Sequence, residues 1–318
     1  MASTNIDRSV PAFHESTAAE AERLLGEGAV AVDVRTAREH EEAGHLPASL
    51  LLPLSLAASA PAVLPDGGPV VVYCDNGVRS RRAAALFAEA GIEGVHHLRG
   101  GLQAWSGPRE TGATPVSGPS PWLVSNAGLA PRGARCLDVA CGRGRHALFL
   151  AAAGYPVKAI DRDAARVDTL RALARRLRLP LDAEVVDVEA PEVSLGESEW
   201  ELILVFQFLH RPLFPALVRA LRPGGLLLYE TFTTDQAAKG SPKNPDHLLE
   251  PGELRRLAAP LEVVRHREGE FDGRCVASLA ARKPPAPASG GPGSRIKRAS
   301  APSGPGAGRA AKRRRRPA

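Results

Sequence analysis

The sequence predicts an α/β protein made of two units, each built on a largely parallel β-sheet. Short apolar runs alternate with helical patterns along most of the 318 residues, as expected where helices connect parallel strands. The apolar runs are continuous, which is typical of strands covered on both faces. Near the end of the second unit, two strand patterns are joined by a turn too short to hold a helix, and this predicts one antiparallel hairpin.

In the first unit, strands are predicted at residues 29–34 and 69–73, where the runs are apolar throughout. A helix is predicted over 79–90, because apolar residues recur at helical spacing and Gly91 follows as a stop signal.

In the second unit, strands and helices again alternate up to the closing hairpin. The predicted strands lie near residues 135–140, 157–161, 183–188, 202–206, 226–230, 261–266 and 274–281. Helices are predicted between them, for example over 164–177 and 213–221, and Asp163 is placed to cap the first of these two.

Two segments rich in Gly, Pro and Ser divide the chain. They predict a first domain at 1–106, a linker at 107–121, a second domain at 122–283 and a disordered basic tail at 284–318. The apolar fraction of 44% is ordinary for a globular protein, which excludes a wholly disordered chain.

The net charge of +6 is concentrated in the tail. Residues 283–318 hold ten Lys and Arg and no acid, which leaves 31 basic residues against 35 acidic ones in the remainder. The remainder is therefore mildly acidic, which disfavours a nucleic-acid surface on the predicted domains.

Membrane, secretion and metal signals are absent from the sequence pattern. No apolar run approaches the roughly 20 residues that span a bilayer, and the N-terminus lacks the pattern of a signal peptide. The four cysteines form no C-x-x-C pair and no zinc-like spacing. We therefore expect a cytoplasmic protein with reduced cysteines, no metal and no membrane partner.

Cys74 is the first candidate for catalysis. It follows a buried strand, and residues 75–78 form a short loop before a predicted helix that begins near Arg79. The N–H groups of a helix start, together with nearby arginines, favour a thiolate, and Gly77 allows the loop to curl over the sulfur. Only four residues separate Cys74 from Arg79, a loop better suited to a single sulfur atom than to a phosphate.

The first unit resembles a single-domain rhodanese over about 106 residues. The motifs that carry the resemblance, in chain order, are Val32-Asp33-Val34-Arg35, Gly44-His45-Leu46-Pro47, residues 72–80 around Cys74, and residues 98–105. The resemblance implies that Cys74 takes a sulfane sulfur from a donor such as thiosulfate and holds it as a persulfide. It also implies that Arg79 lies at the rim of the anion-binding loop.

A second candidate site lies in the glycine-rich turn of residues 137–146, between a strand and a helix start. Gly142 and Gly144 allow a ligand to approach the backbone closely. About 20 residues further on, Asp161 ends the next strand, where an acid can bind ribose hydroxyls. The same layout serves nicotinamide cofactors, so the glycine pattern alone leaves the cofactor open.

Three further features resemble the class I S-adenosylmethionine-dependent methyltransferases over residues 121–283. They are the acidic Asp138 inside the motif, the helix end, turn and strand at 221–228, and the closing hairpin. The resemblance implies S-adenosylmethionine as cofactor and the strand order 3-2-1-4-5-7-6. It implies cofactor contacts from Asp138, Gly142 and Gly144, a ribose contact from Asp161 and an adenine contact near Asp187. A cofactor-free Rossmann-like domain is the alternative.

The segment after the fourth strand, residues 206–211, faces the substrate in this fold. It lacks an Asn/Asp-Pro-Pro-Tyr/Phe signature, and its apolar character suits a small or soft nucleophile. With residues 229–232 and 242–249 it is similar to small-molecule methyltransferases of the tellurite-resistance type. His210 is a candidate general base, with strand capping or cofactor contact as equal alternatives.

The favoured function is a bifunctional enzyme. It would methylate a small soft nucleophile (a thiol, sulfide or chalcogen species) and carry sulfane sulfur on Cys74, with a small-molecule acceptor and a sulfane-sulfur donor as partners. One alternative is an RNA-modifying methyltransferase that uses the basic run 312–316 for phosphate contacts. The other is a methyltransferase whose rhodanese-like part is a non-catalytic docking module.

Overall fold

The computed structural model describes residues 13–64, 67–112, 114 and 117–285. The predicted disordered tail lies outside the described residues apart from its first two positions. Among the described residues, none of the helices is both long enough and apolar enough to cross a bilayer.

The first sheet has five strands, all parallel to their neighbours, in the order β1-β5-β4-β2-β3. The strands are β1 (His14–Ser16), β2 (Val30–Asp33), β3 (Leu50–Leu51), β4 (Val70–Tyr73) and β5 (Val95–Leu98). The parallel α/β architecture predicted for this part of the chain is confirmed. The strands β1, β3 and β5 were not predicted, because all three are short and the polar residues of β1 and β5 interrupt any apolar run.

Four α-helices accompany this sheet. They are α1 (Ala18–Gly26), α2 (Ala37–Glu42), α3 (Ala60–Val63) and α4 (Val78–Glu89). A 3₁₀ helix at Leu54–Ser59 runs directly into α3, and another covers Gly101–Ala104. Thr17 and Thr36 begin α1 and α2 as capping boxes with Glu20 and Glu39, which satisfies N–H groups that a helix start leaves unpaired.

The second sheet has seven strands in the order β11-β12-β10-β9-β6-β7-β8. The strands are β6 (Cys136–Val139), β7 (Val157–Asp161), β8 (Leu181–Val185), β9 (Trp200–Phe206), β10 (Leu221–Phe232), β11 (Glu262–Phe271) and β12 (Arg274–Arg282). β12 runs antiparallel to both of its neighbours, β10 and β11. The other neighbouring pairs of this sheet are parallel. Numbered within this sheet, the order is 3-2-1-4-5-7-6, so the predicted topology and closing hairpin are confirmed.

Five α-helices belong to the second sheet. They are α5 (Pro121–Asn126), α6 (Arg145–Ala152), α7 (Ala164–Arg176), α8 (Phe214–Ala220) and α9 (Glu253–Leu257). Four short 3₁₀ helices lie at Ala127–Leu129, Arg211–Leu213, Thr234–Ala238 and Pro245–His247. The cap predicted for α7 is confirmed, because Asp163 Oδ1 accepts a hydrogen bond from the Arg166 N–H at 3.2 Å.

The two sheets lie in one compact unit and share packing contacts. Phe149 of α6 packs against the buried cores on both sides, and Ala62 of α3 belongs to the core of the second sheet. A further contact joins α7 to the end of α4, where Arg176 Nε donates to the Glu89 carbonyl at 3.1 Å.

Candidate functional site

Cys74 lies in the loop between β4 and α4, and its side chain is fully buried. Its Sγ accepts hydrogen bonds from the Gly77 N–H at 3.2 Å and from the Ser80 N–H and hydroxyl, both at 3.4 Å. Gly77 precedes α4 with φ of +91°, and a Cβ there would lie 3.1 Å from the Gly100 nitrogen. A glycine is therefore needed for the loop to wrap the sulfur.

The loop stabilises the ionised form of this thiol. Burial would raise the pKa of Cys74, but hydrogen bonds from the Ser80 hydroxyl and from the N–H groups of Ser80, Asn76 and Gly77 outweigh it, and the pKa is lowered. A thiolate is the nucleophilic form of cysteine. The geometry therefore suits attack on an electrophilic sulfur.

Arg79 lies on the first turn of α4 and is bound to Glu39 of α2. Arg79 Nη1 donates to Glu39 Oε2 at 2.8 Å and Arg79 Nη2 donates to Glu39 Oε1 at 2.5 Å. The bond from Arg79 is the main reason that the pKa of Glu39 falls to about 2. Because of this partner, the loop faces an ion pair rather than a free guanidinium.

His97 braces the loop from β5, a role that the sequence alone did not reveal. Its Nε2 lies 2.9 Å from the Gly77 carbonyl and its Nδ1 lies 2.8 Å from Glu15 Oε2. Both partners are acceptors, so the ring holds the turn at Gly77. His97 is remote from Cys74 in the sequence, and only the pairing of β4 with β5 brings it to the loop.

A cavity of about 450 Å³ lies at the carboxyl ends of β6, β7 and β9. Its wall includes three of the predicted cofactor residues, Gly142, Asp161 and Asp187. The size is within the roughly 300–1,000 Å³ of ordinary small-molecule sites. This edge of an open parallel sheet is where ligands bind in such folds.

Asp138 lies beneath this cavity, at 1% exposure, and does not line it. Burial raises the pKa of Asp138 to about 7, and its Oδ2 has no hydrogen-bond partner among the described residues. A buried carboxylate oxygen without a donor is costly. This orphaned acceptor, with the glycine loop above it, fits a cofactor that brings a cationic or N–H group.

Asp161 organises the glycine loop directly. Its Oδ2 accepts from the Gly142 N–H at 2.7 Å, and its Oδ1 accepts from the Asp163 N–H at 3.0 Å. Each oxygen retains a lone pair for a further donor. Asp187 is exposed and accepts from the Glu189 N–H at 3.0 Å.

The two loop glycines differ in their surroundings. A Cβ at Gly142 would meet nothing closer than the Arg166 Nη1 at 3.9 Å, so the space above it is open. A Cβ at Gly144 would come within 2.6 Å of the Leu170 side chain. Gly144 therefore lets α6 pack closely on α7, and it does not line the cavity.

His210 lies at the start of the 3₁₀ helix Arg211–Leu213 and is half-buried. It does not line the 450 Å³ cavity. The cavity wall contains instead Gln207 and Phe208, from the segment 206–211 that was expected to face the substrate, and Arg145, which was given no role from the sequence. Gln207 has φ of +56°, a conformation that non-glycine residues adopt mainly at turns and functional sites.

The first half of the chain also contributes to this cavity. Ala62 of α3 is part of its wall. Arg143, in the glycine loop, donates from Nη2 to the carbonyls of Pro61 and Leu64, both at 3.3 Å. The loop that would hold a cofactor is thus fastened to the other sheet.

Comparison with known proteins matches both parts of the chain. The family model of the rhodanese-like domain matches residues 17–108. A sulfurtransferase of Allochromatium vinosum is 38% identical over 80 residues, which are 25% of this chain and 74% of that protein. The chain belongs to the rhodanese-like family. After the rhodanese-like domain it carries a methyltransferase domain, whose family model matches residues 136–225.

Two further relatives each match part of the chain. Hemagglutinin 1 of Eikenella corrodens is 31% identical over 143 residues, which are 42% of this chain. The match covers 46% of that protein, so the chain spans less than half of its length. TehB of Haemophilus influenzae, described as a probable S-adenosyl-L-methionine-dependent methyltransferase, is 25% identical over 88 residues, 28% of this chain and 31% of TehB. The crystal structure of TehB has a TM-score of 0.42 and 19% identity, over 51% of this chain and 61% of that one.

The rhodanese-like family and the strand order of the second sheet thus identify the parts of the molecule. The chain is a rhodanese-like domain fused to an S-adenosylmethionine-dependent methyltransferase domain. The predicted boundaries at 106, 121 and 283 stay predictions.

Proposed function

We propose that the protein is a bifunctional sulfur enzyme. Its rhodanese-like domain carries sulfane sulfur as a persulfide on Cys74, and its methyltransferase domain methylates a small soft nucleophile such as a thiol or hydrosulfide. The observation that supports it most is the Cys74 sulfur, which accepts three hydrogen bonds in a loop of sulfurtransferase type.

The sulfur transfer needs only the thiolate and its loop. The Cys74 thiolate attacks the outer sulfur of thiosulfate, the donor S–S bond breaks, and its electron pair leaves with sulfite. An acceptor thiolate then attacks the outer persulfide sulfur and restores the Cys74 thiolate. A second thiol releases hydrosulfide and becomes oxidised to a disulfide. Gly77 and Ser80 donate to the sulfur throughout.

In the methyl transfer, each predicted residue of the second site has a distinct role. S-adenosylmethionine, when bound, supplies an electrophilic methyl group on a sulfonium centre. Gly142 leaves room for it over the loop, Asp161 and Asp187 offer carboxylates at the wall, and Asp138 supplies a buried acceptor below. Gly144 sets the approach of α6. The acceptor thiol loses its proton to solvent or to His210, whose ring has no hydrogen-bond partner among the described residues.

Two assays test this proposal. Thiosulfate and cyanide should yield thiocyanate, and Cys74→Ala should reduce the rate by about 100-fold or more, because the nucleophile is lost. Thiosulfate, a thiol and S-adenosylmethionine together should yield a methylated thiol, and Asp161→Ala should reduce that yield by about tenfold.

Matched controls separate chemistry from folding. Cys136→Ala removes a buried thiol of β6, and Asp182→Ala removes an exposed acid of β8; both should retain both rates. If Cys74→Ala forms thiocyanate normally, the rhodanese-like domain is a docking module. If the methylated product is RNA and no thiol is methylated, the soft-nucleophile assignment is wrong.

A further inference from the structure

Two arginines converge on one amide at the edge of the methyltransferase cavity. Arg145 begins α6 and Arg274 begins β12, while Gln207 follows β9. With the Gln207 amide oxygen turned toward them, it accepts from Arg274 Nη1 at 2.8 Å and from Arg145 Nη2 at 3.2 Å. The two guanidinium nitrogens are therefore at most about 6 Å apart.

Among the described residues neither guanidinium forms an ion pair, and the Gln207 oxygen is the one hydrogen-bond acceptor for each. The nearby Glu230 is already engaged: it accepts from the Ser120 and Ser278 hydroxyls, both at 2.6 Å, and from Arg267 Nη2 at 3.0 Å. Burial raises the pKa of Asp138 to about 7, so about half of this carboxyl is ionised in neutral solution. The charge of Arg145 is attracted by Asp138 and Glu230 without a hydrogen bond, and it is repelled by Arg274.

The electrostatics of Arg145 reflect this arrangement. Burial lowers its pKa, and the positive charge of Arg274 lowers it further. Each guanidinium has five N–H donors, of which the Gln207 oxygen uses one apiece. Several donors remain for an anion, and an anion placed between the two guanidiniums would relieve their repulsion.

The cavities show on which side that anion lies. Arg145 lines both the 450 Å³ cavity and a smaller one of about 30 Å³. Arg274 lines only the smaller cavity, together with Ser120, Glu230 and Phe271. The smaller cavity holds one or two water-sized groups, which matches the two oxygens of a carboxylate better than a phosphate. Arg274 thus lies outside the cavity that contains Gly142 and Asp161, and Arg145 lies between the two cavities.

We propose that Arg274, Arg145 and Gln207 form a carboxylate site for the methyl acceptor. The acceptor is then a small thiol acid, bound by its carboxylate here with its nucleophilic sulfur toward the larger cavity. This inference rests on the proposed methyl transfer and specifies its substrate class.

The test compares three thiols of similar size: 3-mercaptopropionate, 2-mercaptoethanol and cysteamine. In each, a two-carbon chain joins the thiol to an end group, which is an anionic carboxylate, a neutral hydroxyl or a cationic ammonium, respectively. The unaltered protein should prefer the anionic thiol. Arg274→Gln should lower the ratio of kcat/KM for 3-mercaptopropionate to that for 2-mercaptoethanol by about tenfold or more, because charged hydrogen bonds are lost. Arg274→Glu should reverse the preference toward cysteamine.

A matched control is Arg255→Gln, an exposed arginine of α9, which should keep the ratio of the unaltered protein. Calorimetry on the full chain gives a second readout. Arg274→Gln should weaken binding of 3-mercaptopropionate and leave the affinity for S-adenosylmethionine unchanged. If the cofactor affinity falls instead, the two arginines bind the methionine carboxylate of the cofactor and the proposal is overturned.

Methyl transfer to a thiol and carboxylate binding by Arg274 can be disproved separately. If no thiol is methylated but 3-mercaptopropionate binds in an Arg274-dependent manner, the proposed function fails and the carboxylate site stands. If all three thiols are methylated with equal kcat/KM, the methyl transfer stands and the carboxylate site is wrong.

Discussion

The four cysteines of the chain are all buried, and their surroundings give them different chemistry. Burial raises the pKa of Cys136 to about 12, and burial with two nearby aspartates raises that of Cys141. Cys74 differs because donors from the start of α4 point at its sulfur. Burial alone makes a thiol inert, whereas burial among N–H and O–H donors makes it a nucleophile.

The Ser80 hydroxyl can be tested as the side-chain part of this effect. Ser80→Ala removes one donor to the thiolate, so the pKa of Cys74 should rise by about one unit, the value of one hydrogen bond to a charged group. The thiolate absorbance near 240 nm should then develop at higher pH than in the unaltered protein. Because Cys136 and Cys141 titrate at higher pH, their absorbance does not obscure this transition.

Ser59→Ala is the matched control, because Ser59 is also buried but donates to the Leu56 carbonyl at 2.7 Å, away from Cys74. An unchanged titration of Ser80→Ala would show that the backbone N–H groups alone set the pKa of Cys74.

At the scale of single residues, the sequence predicts those features of the site that depend on residues adjacent in the chain. Cys74, Gly77 and the start of α4 lie within a few positions, so the loop follows from local geometry. His97 and Glu39 reach the same loop from β5 and α2, and nothing in their local sequence marks them. Their contribution depends on strand order and helix packing, which tertiary contacts alone determine.

At the scale of elements, α6 connects the glycine loop to both halves of the molecule. It begins directly after Gly144, and Phe149 on its outer face packs against the cores of both sheets. The sequence predicts the turn and the helix start from the glycine pattern. It does not predict the partner of the outer face, because helical periodicity identifies an apolar side but not what covers it.

Phe149→Ala should therefore destabilise both domains together. Truncation of a core phenylalanine costs about 3–5 kcal/mol, and Phe149 is only partly buried, so we expect about 2 kcal/mol and a single shifted transition in denaturant. Fluorescence of the tryptophans, which occur in both halves, reports both parts. Val124→Ala, an exposed position of α5, should change the free energy of unfolding by less than about 0.5 kcal/mol.

If Phe149→Ala produced two separate transitions, one unshifted, the contact between the domains would be energetically unimportant.

At the scale of the whole molecule, the two candidate sites lie apart. Cys74 follows the carboxyl end of β4, whereas Glu89 and Gly94, which precede β5, lie at the opposite edge of that sheet. Arg176 of the methyltransferase domain contacts this opposite edge through Glu89. Among the described residues, no hydrogen bond joins the Cys74 loop to the methyltransferase cavity.

We therefore expect the sulfur species to pass between the sites through solvent. A mixture of the Cys74→Ala and Asp161→Ala proteins, supplied with thiosulfate, a thiol and S-adenosylmethionine, should form methanethiol, the methylated form of the hydrosulfide released through Cys74, at the rate expected for the same concentration of intact sites. Each variant alone should form little methanethiol, although Cys74→Ala should still methylate the added thiol. If the mixture forms none while each intact half keeps its own activity, the transfer is confined within one chain.

The side chain of Phe149 and the bonds of Arg143 have a consequence for how the chain tolerates cleavage. Because these contacts join the halves independently of the backbone at 107–121, a protein nicked there should remain assembled under native conditions. Its two fragments would separate only in denaturant. Co-expressed as separate polypeptides, they should find each other and reconstitute the cofactor cavity, with Ala62 restored to its wall from another chain.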